Sequence, residues 1–171
     1  MDVKGKILNI QRFCTSDGPG LLTTVFFKGC PLRCKWCHNP ESQSIENELM
    51  YDRSRCVSCM RCVLLCQSGC HKIEESVHKL DITECSACGK CTASRCGALE
   101  IAGKEMTAKS VIDEVMKDKL YFDNSGGGIT LSGGEPLFQE KFCMQILKLA
   151  KGNGVHVCIE TCGFAKSSVT E

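Results

Sequence analysis

Three cysteines lie close together in the segment GCPLRCKWCHNP, residues 29–40: Cys30, Cys34 and Cys37, spaced C-x3-C-x2-C. Thiolates at such spacing suit wrapping one metal centre better than bridging distant elements. Three buried cysteines acting as small apolar side chains are one alternative. Zinc is another, but a structural zinc site wants four protein ligands, and His38 could be the fourth only by folding back beside Cys37. The loop context and a second cysteine-dense region favour an iron–sulfur cluster. Three thiolates on a four-iron cluster leave one iron without a protein ligand. Such an iron can bind a substrate directly and pass it an electron.

The second region holds nine cysteines between residues 56 and 96, in a weak internal repeat: CVSCMRCVLLC at 56–66 and CSACGKCTASRC at 85–96. Cys56, Cys59, Cys62 and Cys66 follow the C-x2-C-x2-C-x3-C run of bacterial ferredoxins, in which the fourth cysteine serves the other cluster. Cys85, Cys88, Cys91 and Cys96 end on a longer spacing, and neither run is followed by the usual proline. The expected ligand sets are Cys56, Cys59, Cys62 and Cys96 for one cluster, and Cys85, Cys88, Cys91 and Cys66 for the other. Cys70 is a ninth thiol that could take the place of Cys66. Paired C-x2-C motifs also occur in zinc knuckles, but the tight triple spacing favours cubane clusters. Cys14, Cys143, Cys158 and Cys162 have no motif spacing; Cys143 and Cys158 lie in apolar stretches and are expected in the core. His71, His78 and His156 have no evident partners and are expected to be structural or on the surface.

Around these groups the chain must supply a scaffold. Residues 3–13 and 21–29 read as strands, separated by a DGPG turn at 17–20. Composition changes near residue 46, and ordinary apolar patterning resumes near 105, so residues 46–104 read as an insert held by metal rather than by a core. TAKSVIDEVMKDKLYF at 107–122 predicts a helix capped by Thr107 with Ser110, presenting Val111, Ile112, Val115, Met116 and Leu120 on one face. GGITLSGGEP at 127–136 predicts a strand ending in a glycine turn, residues 137–154 a helix, and VHVCIE at 155–160 a short buried strand. This alternation implies parallel βαβ units and an α/β fold.

The totals exclude several classes. The 171 residues include 16 cysteines, but a secreted disulfide scaffold of that density is usually short and carries a signal peptide, and MDVKGKILNIQRF has no apolar h-region. A reducing, anaerobic cytoplasm is the expected compartment. The net charge of +1 gives no electrostatic case for nucleic acid or a membrane surface. No apolar run approaches the roughly 18 residues that a membrane span needs.

DGPG at 17–20, TTVFFKGCPLRCKWCHNPES at 23–42, NSGGGITLSGGEPL at 124–137 and IETCGF at 159–164 together resemble the glycyl-radical-enzyme activating enzymes of the radical S-adenosylmethionine (SAM) superfamily. The pyruvate formate-lyase activating enzyme is the familiar member, and it lacks the insert that many others carry. The resemblance implies that Cys30, Cys34 and Cys37 hold a [4Fe–4S] cluster whose open iron is chelated by SAM. One electron then cleaves SAM to a 5′-deoxyadenosyl radical, which abstracts hydrogen from a glycine of a partner enzyme. It implies further that Trp36 lies near the adenine and that Gly133, Gly134 and Glu135 hold the methionine amino group. Glu160 and Thr161 would lie at SAM's polar end, with Asp17 in the loop facing the glycyl substrate. The implied cofactors are SAM and three [4Fe–4S] clusters, one at residues 30–37 and two in the insert. The implied partners are a glycyl-radical enzyme and a flavodoxin or ferredoxin-type reductant, acting on a monomer.

By the same resemblance, residues 1–45 and 105–171 form the N-terminal part of a partial (β/α)6 radical SAM barrel, with residues 46–104 as an inserted ferredoxin-like domain. The chain is expected to be part of something longer, because such relatives complete six strands. A ferredoxin-like electron carrier is the rival reading, and leaves residues 30–37 and SGGEP without a role. An inactive fragment of an activating enzyme is a third.

Overall fold

The computed structural model describes residues 2–75, 77–94 and 96–165. In chain order its strands and helices are β1 (Lys4–Cys14), β2 (Leu22–Phe27), β3 (Glu48–Tyr51), α1 (Arg61–Leu65), β4 (His71–Glu74), β5 (Val77–Leu80), β6 (Leu99–Ala102), β7 (Lys104–Thr107), α2 (Ala108–Val115), α3 (Lys119–Ser125), β8 (Gly128–Gly133), α4 (Glu140–Gly152) and β9 (His156–Ile159). The chain divides into two units, Met1–Glu46 with Gly103–Glu171, and Asn47–Ala102.

The first unit is a mixed α/β layer structure around a five-stranded sheet of order β7-β1-β2-β8-β9. β2, β8 and β9 run parallel, while β1 is antiparallel to both β2 and β7. Alternation along the strands gives the sheet two different faces. Val25, Phe27, Ile129 and Leu131 join Val111, Ile112 and Val115 of α2 and Phe142, Ile146 and Ala150 of α4 in one buried cluster. The intervening residues Thr24, Thr130 and Ser132 are buried and polar, and they floor the site described below.

Thr107 caps α2 through a reciprocal box with Ser110, and Val111, Ile112 and Val115 face the core as their spacing predicts. Leu120 does not; it is 69% exposed. At about 100° per residue Leu120 stands half a turn from Val111, whereas Phe122 falls within about 20° of it, and Phe122 is the residue buried. A 3-10 turn at Met116–Asp118 precedes α3, and the buried Asp118 carboxylate there accepts from Thr23 Oγ1 at 2.8 Å and pairs with Arg12 at 3.4 Å. The strand expected to be buried at 155–160 is also corrected. β9 is the outermost strand of the described sheet, so Ile159 is 38% exposed and Cys158 only half-buried. Cys143 is in the core as expected.

The second unit contains two antiparallel pairs, β3 with β6 and the hairpin β4–β5. Its apolar cluster is small: Cys62, Cys91 and Leu99, with Leu49, Tyr51, Val63 and Leu80 packed against them. Among the described residues, no helix is long and apolar enough to cross a membrane.

Candidate active site and metal centres

The three parallel strands deliver their C-terminal ends to one edge. Phe27 of β2 pairs with Gly133 of β8, and Leu131 with Ile159 of β9. Loops beyond such ends are where open α/β sheets place their sites. β2 leads into Cys30, Cys34 and Cys37, β8 into Gly133–Glu135, and β9 into Glu160–Thr161.

The cysteine loop is closed at its base by a short ladder. Gly29 N donates to Ser42 O at 2.6 Å and Cys30 N to Gln43 O at 3.0 Å, while Lys28 Nζ, itself buried, donates to Glu41 O. Inside the loop, Arg33 Nη1 donates to the carbonyls of Cys30 and Gln43, and Gln43 Nε2 donates to Cys34 O. Arg33, Gln43 and Lys28 thus shape the loop, and no motif in the sequence marks them. The three thiols are half-buried and unbridged; every cysteine of the chain is free.

The glycine turn is locked to the same base. Gly134 N donates to Phe27 O and Glu135 N to Gly29 O, both at 2.9 Å. A Cβ on Gly134 would sit 2.3 Å from Gly29 O, and one on Gly133, at φ +96°, would lie 2.5 Å from Phe27 N. Only glycine permits this approach.

A cavity of about 650 Å³ opens above these ends, and its lining includes Asp17, Cys37, Ser132, Gly133 and Glu160. Ser132 Oγ donates to Glu160 Oε2 at 2.5 Å, and Asp17 accepts from Thr24 Oγ1 at 2.6 Å. Both carboxylates are therefore held by hydroxyls of the sheet's polar face. Among the described residues, its lining includes no lysine or arginine, so it suits a cationic ligand.

Cys30, Cys34, Trp36, Gly134, Glu135 and Thr161 are not in that lining. Trp36 is 86% exposed. Glu135 is fully buried, and its carboxylate accepts from Leu137 N, Thr161 Oγ1 and Cys162 N.

In the second unit the cysteines gather in two groups. Cys56, Cys59, Cys62 and Cys96 line one cavity with Tyr51 and His78. Cys66, Cys70, Cys85, Cys88 and Cys91 line another with His71. Burial pushes the Cys62, Cys70 and Cys91 thiols up. Burial would also raise Cys66, but backbone N–H groups of Cys70, Ser68 and Gly69 outweigh it and hold that thiol below its ordinary value. Cys96 is lowered too, chiefly by the backbone N–H of Ala98. His71 and His78, which looked partnerless in the sequence, are buried against each other.

Comparison with known proteins bears on this arrangement. A family described as "4Fe-4S single cluster domain" matches residues 16–171. The choline trimethylamine-lyase activating enzyme of Oleidesulfovibrio alaskensis is 41% identical over 170 residues, covering 97% of this chain and 55% of the relative. The isethionate sulfite-lyase activating enzyme of the same organism is 42% identical, covering 98% and 56%. The trans-4-hydroxy-L-proline dehydratase activating enzyme of Clostridioides difficile is 42% identical, covering 94% and 54%. The chain belongs to the 4Fe-4S single cluster domain family. It spans about half the length of the curated relatives it matches. Family membership agrees with the donor set of the loop: three free thiols beside a polar, acidic cavity.

Proposed function

We propose that this chain carries the cluster and SAM-binding half of a glycyl-radical-enzyme activating enzyme. In this reading Cys30, Cys34 and Cys37 would hold a [4Fe–4S] cluster, which would supply the one electron that cleaves SAM to methionine and a 5′-deoxyadenosyl group, completed to 5′-deoxyadenosine by a hydrogen atom from a glycine of the partner enzyme. The observation that carries the reading is the cavity at the ends of β2, β8 and β9, where Cys37, Gly133 and Glu160 meet.

The chain's own groups have separable tasks. Glu160, fixed by Ser132, faces the methionine ammonium, and the Gly133 carbonyl lies close by because the turn has no Cβ to hold it away. Asp17, anchored by Thr24, borders the side from which the glycyl peptide enters. Glu135 acts from beneath, holding the Thr161–Cys162 turn in place. Trp36 stands beside the third cysteine, where an adenine ring could stack on it.

Two further [4Fe–4S] clusters are assigned to residues 46–104, read as a ferredoxin-like insert. The lining of the two cavities supports Cys56, Cys59, Cys62 and Cys96 as one ligand set, and Cys66, Cys85, Cys88 and Cys91 as the other. Buried thiols in a unit with so small an apolar core suit metal as the organising element. The reductant is of flavodoxin or ferredoxin type, the chain acts as a monomer in a reducing cytoplasm, and the strands form part of a (β/α)6 barrel. The relatives' partners differ among themselves, so the partner is proposed only as a glycyl-radical enzyme.

The test is Cys34→Ala in anaerobically reconstituted protein with SAM and dithionite. Loss of 5′-deoxyadenosine formation with the insert's iron retained is expected. Undiminished cleavage by this variant would place the chemistry elsewhere.

A further inference from the structure

Thr24 and Thr130 face each other across β2 and β8, where they are register partners in the parallel pair. Both are fully buried, and both hydroxyls donate to one residue of the loop between β1 and β2. Thr24 Oγ1 donates to Asp17 Oδ2 at 2.6 Å, and Thr130 Oγ1 donates to Asp17 O at 3.0 Å. Asp17 is thus held by its side chain and its main chain at once. The loop is pinned again at its far end. Leu21 N donates to Ser125 Oγ at 3.0 Å, and a Cβ on Gly20, at φ +69°, would lie 2.6 Å from Gly127 N. Between these anchors Gly18, Pro19 and Gly20 are exposed, as are Thr15 and Ser16 before them. Exposed backbone with few contacts opens readily. This loop has its acid fixed from the sheet instead.

The other acid of the cavity has its own anchor. Ser132 Oγ donates to Glu160 Oε2. Thr130 and Ser132 lie two residues apart on one face of β8, so their Cα atoms stand roughly 7 Å apart along the strand. Asp17 precedes β2 and Glu160 follows β9. Among the described residues, β8 is the one strand that donates to both, and no hydrogen bond joins the two acids directly. A strand in the middle of the sheet therefore sets the spacing of two carboxylates that separate loops supply. Asp17 lines the cavity, and no group among the described residues donates to its Oδ1. That oxygen is left for an N–H or O–H brought into the cavity.

We propose that Thr24 and Thr130 are positioning residues, a two-point latch that fixes the Asp17 loop as a wall of the cavity and acts independently of the Ser132–Glu160 contact. The proposal rests on the reading of this cavity as the SAM site. Valine in place of threonine keeps the branched shape and removes the donor, whereas serine keeps the donor and loses the methyl. Asp17 is half-buried, so its released oxygens can turn to water. The cost of the valine change then falls on the placement of the loop and not on the core. Glu160 is the acid assigned to the methionine ammonium. Loosening Asp17 leaves that contact in place, and loosening Glu160 weakens SAM.

The two acids should therefore respond to different variants. A protease that cleaves before aspartate must grip the Asp17 carboxylate, so cutting between Ser16 and Asp17 reports the opened latch directly. The experiment follows fragments 1–16 and 17–171 by mass spectrometry in the anaerobically reconstituted chain. In parallel, the SAM concentration that half-converts the paramagnetic signal of the reduced cluster is measured. Wild type is compared with Thr24→Val, Thr130→Val, Thr24→Ser and Ser132→Ala. Both valine variants should be cut about tenfold faster than wild type, and Thr24→Ser at close to the wild-type rate. Ser132→Ala should raise the half-conversion concentration about tenfold, and Thr24→Val by less than about twofold. Unchanged cutting in both valine variants would overturn the latch. Faster cutting that Thr24→Ser shares in full would overturn the hydroxyl as its cause. A SAM shift in Thr24→Val as large as that in Ser132→Ala would overturn the independence of the two acids. A wild-type signal that ignores SAM would overturn the SAM reading, while the cutting rates still decide the latch.

Discussion

The hydroxyl of Thr161 lies 2.8 and 2.9 Å from the two carboxylate oxygens of Glu135. This contact ties the turn after β9 to the turn after β8, and Cys162 N reinforces it at 2.8 Å. The side chain is fully buried, so these donors satisfy oxygens that water cannot reach. Glu135→Gln should therefore destabilise the chain by about 2–3 kcal/mol, and Thr161→Val by less. A double-mutant cycle read by urea unfolding should show the two changes to be strongly non-additive. Additive losses would mean that the pair is not the tie described.

Gly134→Ala should disable the cysteine loop without unfolding the insert. The added methyl meets the Gly29 carbonyl, a backbone atom with no freedom to rotate away. Iron content should fall from about twelve to about eight per chain, as expected for loss of one four-iron cluster of three. The SAM-dependent change in the paramagnetic signal should vanish with it. Full iron and an unchanged response would show that the turn tolerates a side chain.

The thiol of Cys143 gives a pH test of the core. Burial, and secondarily the charge of Glu135, pushes it up to about 11. An unfolded thiol ionises near 9, so between about pH 9 and 11 the unfolded chain loses this proton while the folded chain keeps it. Stability is complete below that window and falls through it, by an order of about 2–3 kcal/mol. The loss should be smaller in Cys143→Ala, measured as the difference between the two proteins' unfolding free energies at pH 8 and pH 11. Parallel curves would contradict the assignment.

Thr107→Ala should cost about 1 kcal/mol, the usual value of a helix N-cap. The residue accepts from Ser110 N while Ser110 Oγ accepts from Thr107 N. The same unfolding assay reads it. Thr107→Ser keeps the hydroxyl and should be close to neutral.

Much of the scaffold was legible because it is locally encoded. The Thr107–Ser110 cap, the apolar spacing of Val111, Ile112 and Val115, and the glycines of SGGEP each carry a signal within a few residues. Leu120 shows where such reasoning stops. It extends the row of Ile112 and Met116, but that row runs off the edge of the buried face, which is centred on Val111 and Val115 and continues to Phe122. The hairpin β4–β5 was missed because its strands have no apolar alternation of their own and pair around His71 and His78, whose neighbours, such as Tyr51 and Cys62, come from distant segments.

The spacing of Cys30, Cys34 and Cys37 and the ferredoxin-like runs were decided along the chain, since a motif needs only neighbouring residues of the right type. So was the α/β class, which follows from the period of the apolar pattern. Which thiols share a cavity, and that Glu160 borders one while Glu135 is buried beneath, were decided in three dimensions. Burial and hydrogen-bond partnership depend on groups that distant segments bring together, and no short window of sequence contains them.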